Sequence, residues 1–119
     1  MNNIIATKSY AFAIRIVKVY KFLVEEKREF VLSKQLLRSG TAIGALIRES
    51  EHAESKADFL HKINIALKEA NETDYWLLLL RDTEYLAEHE YKALFRDCDE
   101  IIRLLVTIVK TTKKNLGRN

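Results

Sequence analysis

The sequence predicts an all-α protein, an antiparallel up-down-up-down four-helix bundle that forms a single domain over residues 1–119. The chain contains no proline and only three glycines, so it lacks the residues that usually separate strands and tight turns. Apolar residues recur every three or four positions through four long segments. A chain of 119 residues, 48% of them hydrophobic, is long enough for one core. The predicted helices cover about residues 7–27, 32–53, 56–86 and 90–114.

The first predicted helix carries an apolar stripe that is wide enough to face two neighbouring helices. Its first row is Phe12, Ile16, Val19 and Leu23, and its second row is Ala13, Val17, Tyr20 and Val24. Rows at this spacing lie side by side on one face of an α-helix.

The second predicted helix contains the segment RSGTAIGA, residues 38–45, in which Gly40 and Gly44 share one face. Each glycine destabilises a helix by about 1 kcal/mol relative to alanine. Close packing of another helix would offset that loss, and the third helix offers the small residues Ala66 and Ala70. We therefore predict close approach of the second and third helices. A phosphate-binding loop is excluded, because the Walker lysine and the preceding strand are both absent.

The third predicted helix begins at a capping box formed by Ser55 and Asp58. Its apolar seam comprises Phe59, Ile63, Ala66, Ala70, Thr73, Leu77 and Leu80. The fourth helix contains IIRLLVTIVK, which is apolar nearly all round, and a monomeric bundle needs only one such stripe. Together with Phe22 on the first helix, this surplus favours a homo-oligomer that assembles through the first and fourth helices; the alternative is unusually deep burial of the fourth helix.

Several classes of function are disfavoured by what the sequence contains. It has no apolar run of ~20 residues and no signal-peptide pattern, so we expect a cytoplasmic protein that does not bind membranes. The single cysteine, Cys98, lies in an apolar pattern without a nearby histidine, and no serine lies in an elbow motif. We therefore predict no catalytic residues and no enzyme activity. Glu49-x-x-His52 and Asp58-x-x-His61 have the spacing of metal ligands, but they lie near a connecting turn. We predict neither a metal nor another cofactor.

Charge is distributed unevenly along the chain. Residues 1–48 contain nine basic and three acidic residues and have a net charge of +6. Residues 49–109 contain seven basic and fourteen acidic residues and have a net charge of −7. Residues 110–119 have a net charge of +4. The basic parts either pair with the acidic middle or contact an anionic partner such as RNA. The residues predicted to bind nucleic-acid phosphates are Arg15, Lys18, Arg38, Arg48, Lys110, Lys113 and Lys114.

A second set of polar residues lies within and opposite KEANETDYW, residues 68–76. One interpretation is a solvated face with ordinary i to i+4 pairs. The other is a hydrogen-bonded network between helices that fixes their register. The members of this set are Arg38, Glu49, Lys62, Lys68, Glu69, Glu72 and Trp76.

Three segments, SYAFAIRIVKVY, VLSKQLLRSGTAIGALIRE and SKADFLHKINIALKEANETDYWLLLL, cover most of the chain up to residue 80. They resemble the four-helix bundle proteins encoded in intervening sequences of bacterial 23S rRNA genes. The resemblance implies the bundle fold and a homopentamer. A related branch includes the accessory variability determinant of diversity-generating retroelements, which implies contact with nucleic acid or with a nucleic-acid-processing protein.

The leading functional hypothesis from the sequence is therefore a non-enzymatic homo-oligomer that binds RNA or a ribonucleoprotein through a basic surface. The alternative is a structural or adaptor oligomer with a protein partner. A carboxylate–histidine metal-binding bundle is the third.

Overall fold

Four helices make up the fold, as the sequence predicts. The computed structural model describes residues 3–118. Helix α1 spans Asn3–Glu25, α2 Leu32–Ser50, α3 Lys56–Asp82 and α4 Glu88–Asn115. Short connections join them, so successive helices run antiparallel, and each helix packs against the next while α4 closes the bundle against α1. The bundle measures 48 × 22 × 21 Å.

The core runs along the bundle axis, and the predicted apolar stripes supply most of it. Phe12, Ile16 and Leu23 of α1 are all at most 1% exposed, and so is Ile5, two residues before the predicted start of the helix. The seam of α3 is buried from Ile63 to Leu80 as predicted, while Leu60 replaces Phe59 at its beginning. Ile5 explains why α1 begins at Asn3 rather than near residue 7, since it extends the buried row by one turn.

The prediction that Gly40 and Gly44 face α3 is wrong, because both glycines pack against α1. A Cβ atom at position 40 would lie 2.9 Å from side-chain atoms of Ile16. A Cβ atom at position 44 would lie 3.4 Å from the backbone oxygen of Ser9. The glycines lie on the edge of α2 that turns toward α1, and Ser39 lies on the edge that turns toward α3. Helical periodicity showed that the glycines share a face but did not reveal which neighbour covers it.

Three helices end earlier than predicted. Helix α2 ends at Ser50 rather than near residue 53, because the next three N–H groups donate to carbonyls three positions earlier and form a tighter turn. At the ends of α1 and α3, a following residue adopts a left-handed backbone. Glu84 has φ 69°, and the N–H of Tyr85 then reaches the carbonyl of Leu80 over 2.8 Å, which ends α3 at Asp82 instead of near residue 86. Arg28 has φ 55° and follows the end of α1 at Glu25, where the prediction was about residue 27. Glycine usually occupies such positions, so Arg28 and Glu84 are not recognisable as stop signals.

Of the two hydrogen bonds predicted for the capping box at the start of α3, one is confirmed. The backbone N–H of Asp58 donates to the Ser55 hydroxyl over 3.0 Å, but the Asp58 carboxylate accepts from the N–H of Glu54 rather than from that of Ser55. At the start of α4, the N–H of Ala87 donates to the Glu90 carboxylate over 2.9 Å.

The apolar surplus of α4 is mostly covered within the bundle. Ile101, Leu105 and Val109 are buried, and Phe95 is the only large apolar side chain of α4 that is classed as exposed within residues 3–118. Phe22 of α1 is likewise packed against the core rather than exposed. The exposed apolar side chains concentrate instead on α1, where Tyr10, Ile14 and Val17 are 64%, 43% and 37% exposed. Over the described residues, no helix is long and apolar enough to cross a membrane.

Candidate nucleic-acid interface

A group of unpaired cations lies at the end of α4. Lys110, Lys113, Lys114 and Arg118 surround a shallow depression of about 600 Å³ whose floor is formed by Leu67, Val106 and Val109. Within residues 3–118, none of these four cations pairs with a carboxylate. We call this group the C-terminal basic cluster. Lysines in the last turn of a helix also interact favourably with its dipole, which accounts for part of their placement.

A turn after α4 brings Arg118 into this cluster. Gly117 has φ 72°, and the N–H of Arg118 donates to the carbonyl of Lys113 over 2.7 Å while the N–H of Gly117 donates to Lys114. This Schellman arrangement folds the chain back onto the helix end. Arg118 was not among the predicted site residues, although the glycine before it was a signal for such a turn.

Arg15 is engaged within the protein. Its guanidinium pairs with the carboxylate of Asp97 across the seam between α1 and α4, and Lys8 pairs with Glu100 in the same seam over 3.0 Å. Lys18 and Arg48, in contrast, are exposed and form no ion pair within the described part of the chain. The predicted phosphate-binding residues thus divide into paired and unpaired cations.

Arg38 is the centre of a network between α2 and α3. Its guanidinium donates to Glu69 over 3.1 Å and also to Glu72, while the indole N–H of Trp76 donates to Glu72 over 2.9 Å. The hydrogen bond from Trp76 and then the one from Arg38 lower the pKa of the Glu72 carboxyl. The same contacts raise the pKa of Arg38, with the bond to Glu72 as the largest cause.

The remaining members of the predicted polar set lie along the same seam. Lys62 donates to Glu49 over 3.2 Å. Lys68 forms no ion pair within residues 3–118, although its charge adds to the lowering of the pKa of Glu72. Sequence reasoning missed the buried hydrogen bond from the Thr73 hydroxyl to the Ser39 hydroxyl, 3.0 Å long, which joins the same two helices below the network. The residues on this seam therefore bond mainly to one another.

Cys98 is buried, as predicted. Its thiol donates to the carbonyl of Ala70 over 3.4 Å, and burial, with smaller contributions from Asp74 and Asp99, raises its pKa to about 12. A thiol of that pKa is a poor nucleophile at neutral pH. One carboxylate oxygen of Asp74 is buried and has no hydrogen-bond partner among residues 3–118. Burial, followed by repulsion from Asp99, raises the pKa of this carboxyl.

The two metal-ligand spacings do not converge on a common site. Over the residues that the structure describes, no group of three or more histidine, cysteine, aspartate or glutamate side chains lies close enough to hold a metal ion.

The comparison with protein families accounts for the fold. The family model described as 23S rRNA-intervening sequence protein matches residues 1–107. The chain belongs to this family. Its fold is also that of a solved protein from Bacteroides thetaiotaomicron VPI-5482, described as a protein with unknown function from the S23 ribosomal protein family. The two chains are 59% identical, the match covers 91% of this chain and 96% of that one, and the TM-score is 0.90. No curated protein matches the chain.

The family match does not include the C-terminal basic cluster. It ends at residue 107, whereas Lys110, Lys113, Lys114 and Arg118 all follow it. The resemblance that the sequence predicted is thus confirmed for the bundle, and the family and its solved relative are of unknown function.

Proposed function

We propose that this 23S rRNA-intervening sequence protein binds RNA through its phosphate backbone, and that the C-terminal basic cluster is the main contact. The observation that carries the proposal is the convergence of four cations around one depression without a carboxylate partner in the described residues. Unpaired cations can neutralise phosphates and release the counterions that those phosphates hold.

The ion pairs support different roles for the basic residues. Arg15 and Arg38 would have to give up Asp97 and Glu72 before they could bind a phosphate. In this proposal they hold helices together, while Lys18 and Arg48 remain available as secondary contacts. Contacts from lysines and arginines to phosphates do not read the base sequence. We therefore expect binding that depends steeply on salt and weakly on sequence.

The protein also self-associates in this proposal, as a homopentamer. The exposed large apolar side chains support it, because Ile14 and Val17 lie on α1 while Tyr75, Leu78 and Phe95 lie on α3 and α4. Since α1 and α3 are diagonal neighbours in the bundle, two different surfaces are apolar, and a contact between unlike surfaces forms a ring when the rotation between copies closes. The same side chains favour the second candidate function, an adaptor that binds another protein.

The test compares two triple variants of equal charge. One is Lys110→Gln, Lys113→Gln and Lys114→Gln; the control is Lys21→Gln, Lys34→Gln and Lys92→Gln, which are exposed lysines outside the cluster. Labelled RNA is titrated with each protein between about 50 and 200 mM salt, and light scattering gives the mass. We expect the cluster variant to bind more weakly and with a shallower salt dependence than the control. Equal binding by the two variants would overturn the placement of the site, and no binding by the parent at low salt would overturn the function.

A further inference from the structure

A groove of about 530 Å³ lies between α1 and α2, at the end of the bundle where α2 finishes. Its floor consists of small residues, and its margin carries larger polar side chains. The floor residues are Ala6, Ser9, Ala13, Gly44 and Ala45, and the margin residues are Tyr10, Thr41, Arg48, Glu51 and His52. A volume of this size is within the range of small-molecule sites.

The groove exists because the two helices approach closely while carrying little side-chain volume. Gly44 lies against the backbone of Ser9, where a Cβ atom would already be in contact at 3.4 Å. The hydroxyl of Ser9 donates to the carbonyl of Ala6 and that of Thr41 to the carbonyl of Leu37, so neither fills the space above the floor. The depression is therefore a built feature of the α1–α2 contact.

The margin of the groove differs from the neighbouring seam in its hydrogen bonding. On the α2–α3 seam, Arg38, Glu72 and Trp76 bond to one another. Around the groove, the side chains of Tyr10, Arg48, Glu51 and His52 make no hydrogen bond or ion pair in the part of the chain that the structure describes. Tyr10 is 64% exposed and, within the same residues, packs against no other ring and no cation.

The unpaired groups have the chemistry that a nucleotide requires. An exposed aromatic ring provides a face on which a base stacks, an arginine without a carboxylate partner binds a phosphate, and a carboxylate accepts from ribose hydroxyls or exocyclic amines. We propose that the α1–α2 groove binds one nucleotide of single-stranded RNA, with the base on Tyr10, the phosphate on Arg48 and a sugar or base donor on Glu51. This inference rests on the proposed function and specifies the form of RNA.

The position of the groove allows one RNA strand to contact both the groove and the C-terminal basic cluster. In the antiparallel bundle, the beginning of α1, the end of α2 and the end of α4 lie at the same end of the molecule. The groove and the C-terminal basic cluster therefore share that end, on different sides. Stacking at one site and phosphate contacts at the other together favour single strands over duplexes, whose bases are not free to stack on a side chain.

The test separates stacking from charge with two matched pairs of variants. Tyr10→Ala is compared with Phe30→Ala, since Phe30 is also an exposed aromatic residue, at 49%, but lies in the connection between α1 and α2, outside the groove. Arg48→Gln is compared with Arg38→Gln, which removes a cation from the same helix outside the groove. Each protein is titrated with a short single-stranded RNA that contains 2-aminopurine, and separately with inorganic polyphosphate, which has no bases.

We expect Tyr10→Ala to weaken RNA binding about tenfold and to abolish the 2-aminopurine fluorescence change, because one stacked base contributes roughly that much. Its polyphosphate affinity stays at the parental value, as do both affinities of Phe30→Ala. Arg48→Gln weakens RNA binding more than Arg38→Gln does.

Two outcomes would overturn the inference. If Tyr10→Ala binds RNA like Phe30→Ala while the cluster variant has lost the ability to bind RNA and polyphosphate, the proposed function stands and the groove is not its nucleotide site. If Tyr10→Ala lowers the mass measured by light scattering together with RNA affinity, the groove is covered by a second copy of the chain.

Discussion

The backbone N–H of Ser33 donates to the Glu29 carboxylate over 2.6 Å, so a residue three positions before α2 caps its first turn. The N–H groups of Val31 and Leu32 donate to the same carboxylate, and the Ser33 hydroxyl returns a bond to the Glu29 carbonyl. Val31 immediately before the helix has no side-chain acceptor of its own. Glu29 therefore satisfies donors at the helix end that would otherwise lack partners.

Replacing Glu29 with alanine is expected to lower the free energy of unfolding by about 1 to 2 kcal/mol, because the cap is lost and buried N–H groups are left unpaired. Thermal or urea unfolding measures the change. Glu26→Ala is the control, since Glu26 is exposed and its side chain caps nothing in the described residues. Similar stabilities of the two variants would show that water replaces the cap.

The Glu29 cap is also expected to make stability depend on acid. Burial raises the pKa of this carboxyl, but the N–H bonds from Leu32, Ser33 and Val31 together lower it below its usual 4.5. Because the pKa of this carboxyl is lower in the native protein than in the unfolded chain, its ionisation stabilises the fold at pH values above the unfolded pKa. That stabilisation is lost as the pH falls below 4.5 and through the native pKa. Glu29→Gln should therefore lose less stability than the parent between neutral pH and that acidic range, as measured by urea unfolding at each pH.

The contribution of Asp74 to stability is expected to depend on pH in the opposite direction. Burial and the nearby Asp99 raise its pKa above the usual 3.8, so its charged form destabilises the fold once the pH rises above that value. Asp74→Asn removes the charge and should raise the free energy of unfolding at pH 7 by a few tenths to about 1 kcal/mol. The gain should disappear in acid below pH 3.8, where the parent is also neutral. A variant that is less stable than the parent at every pH would contradict this account.

Glu84 offers a stabilising substitution. Its φ of 69° disfavours any side chain with a Cβ, so Glu84→Gly should stabilise the protein by about 1 kcal/mol. Asn71→Gly is the opposite control, because an exposed position inside α3 should lose a few tenths of a kcal/mol on the same change, asparagine being itself a weak helix former. The two midpoints of thermal unfolding should move in opposite directions from the parent.

The two glycines of α2 are expected to respond differently to alanine. Gly40→Ala places a methyl group 2.9 Å from Ile16, which is fully buried, and should destabilise the bundle by about 1 to 3 kcal/mol. Gly44→Ala meets the backbone of Ser9 at an ordinary contact distance of 3.4 Å, so the gain in helix propensity should leave stability equal or higher. Denaturant unfolding of both variants tests this order, and the reverse order would mean that α1 is not the neighbour of both glycines.

Local physical chemistry made much of this fold predictable. The buried rows of α1 and α3 followed from the spacing of apolar residues, since a residue and those three or four positions later share a helix face. Ser55 was recognisable as a cap because a hydroxyl accepts from the N–H three positions later. The ends set by Arg28 and Glu84 escaped prediction, because a left-handed backbone at a residue other than glycine leaves no mark in the sequence.

Which residues meet across helices was decided by the tertiary structure. Arg15 and Arg48 are both basic residues on helices and cannot be told apart by sequence, yet Arg15 meets Asp97, 82 positions away, and Arg48 faces a groove without an ion pair in the described residues. The sequence by itself determined four helices, their order and their apolar faces, because those properties depend on neighbours within about one helical turn. The neighbour of each face, including α1 for both glycines, and the cations left without a carboxylate depend on contacts between distant residues, which exist only once the bundle has packed.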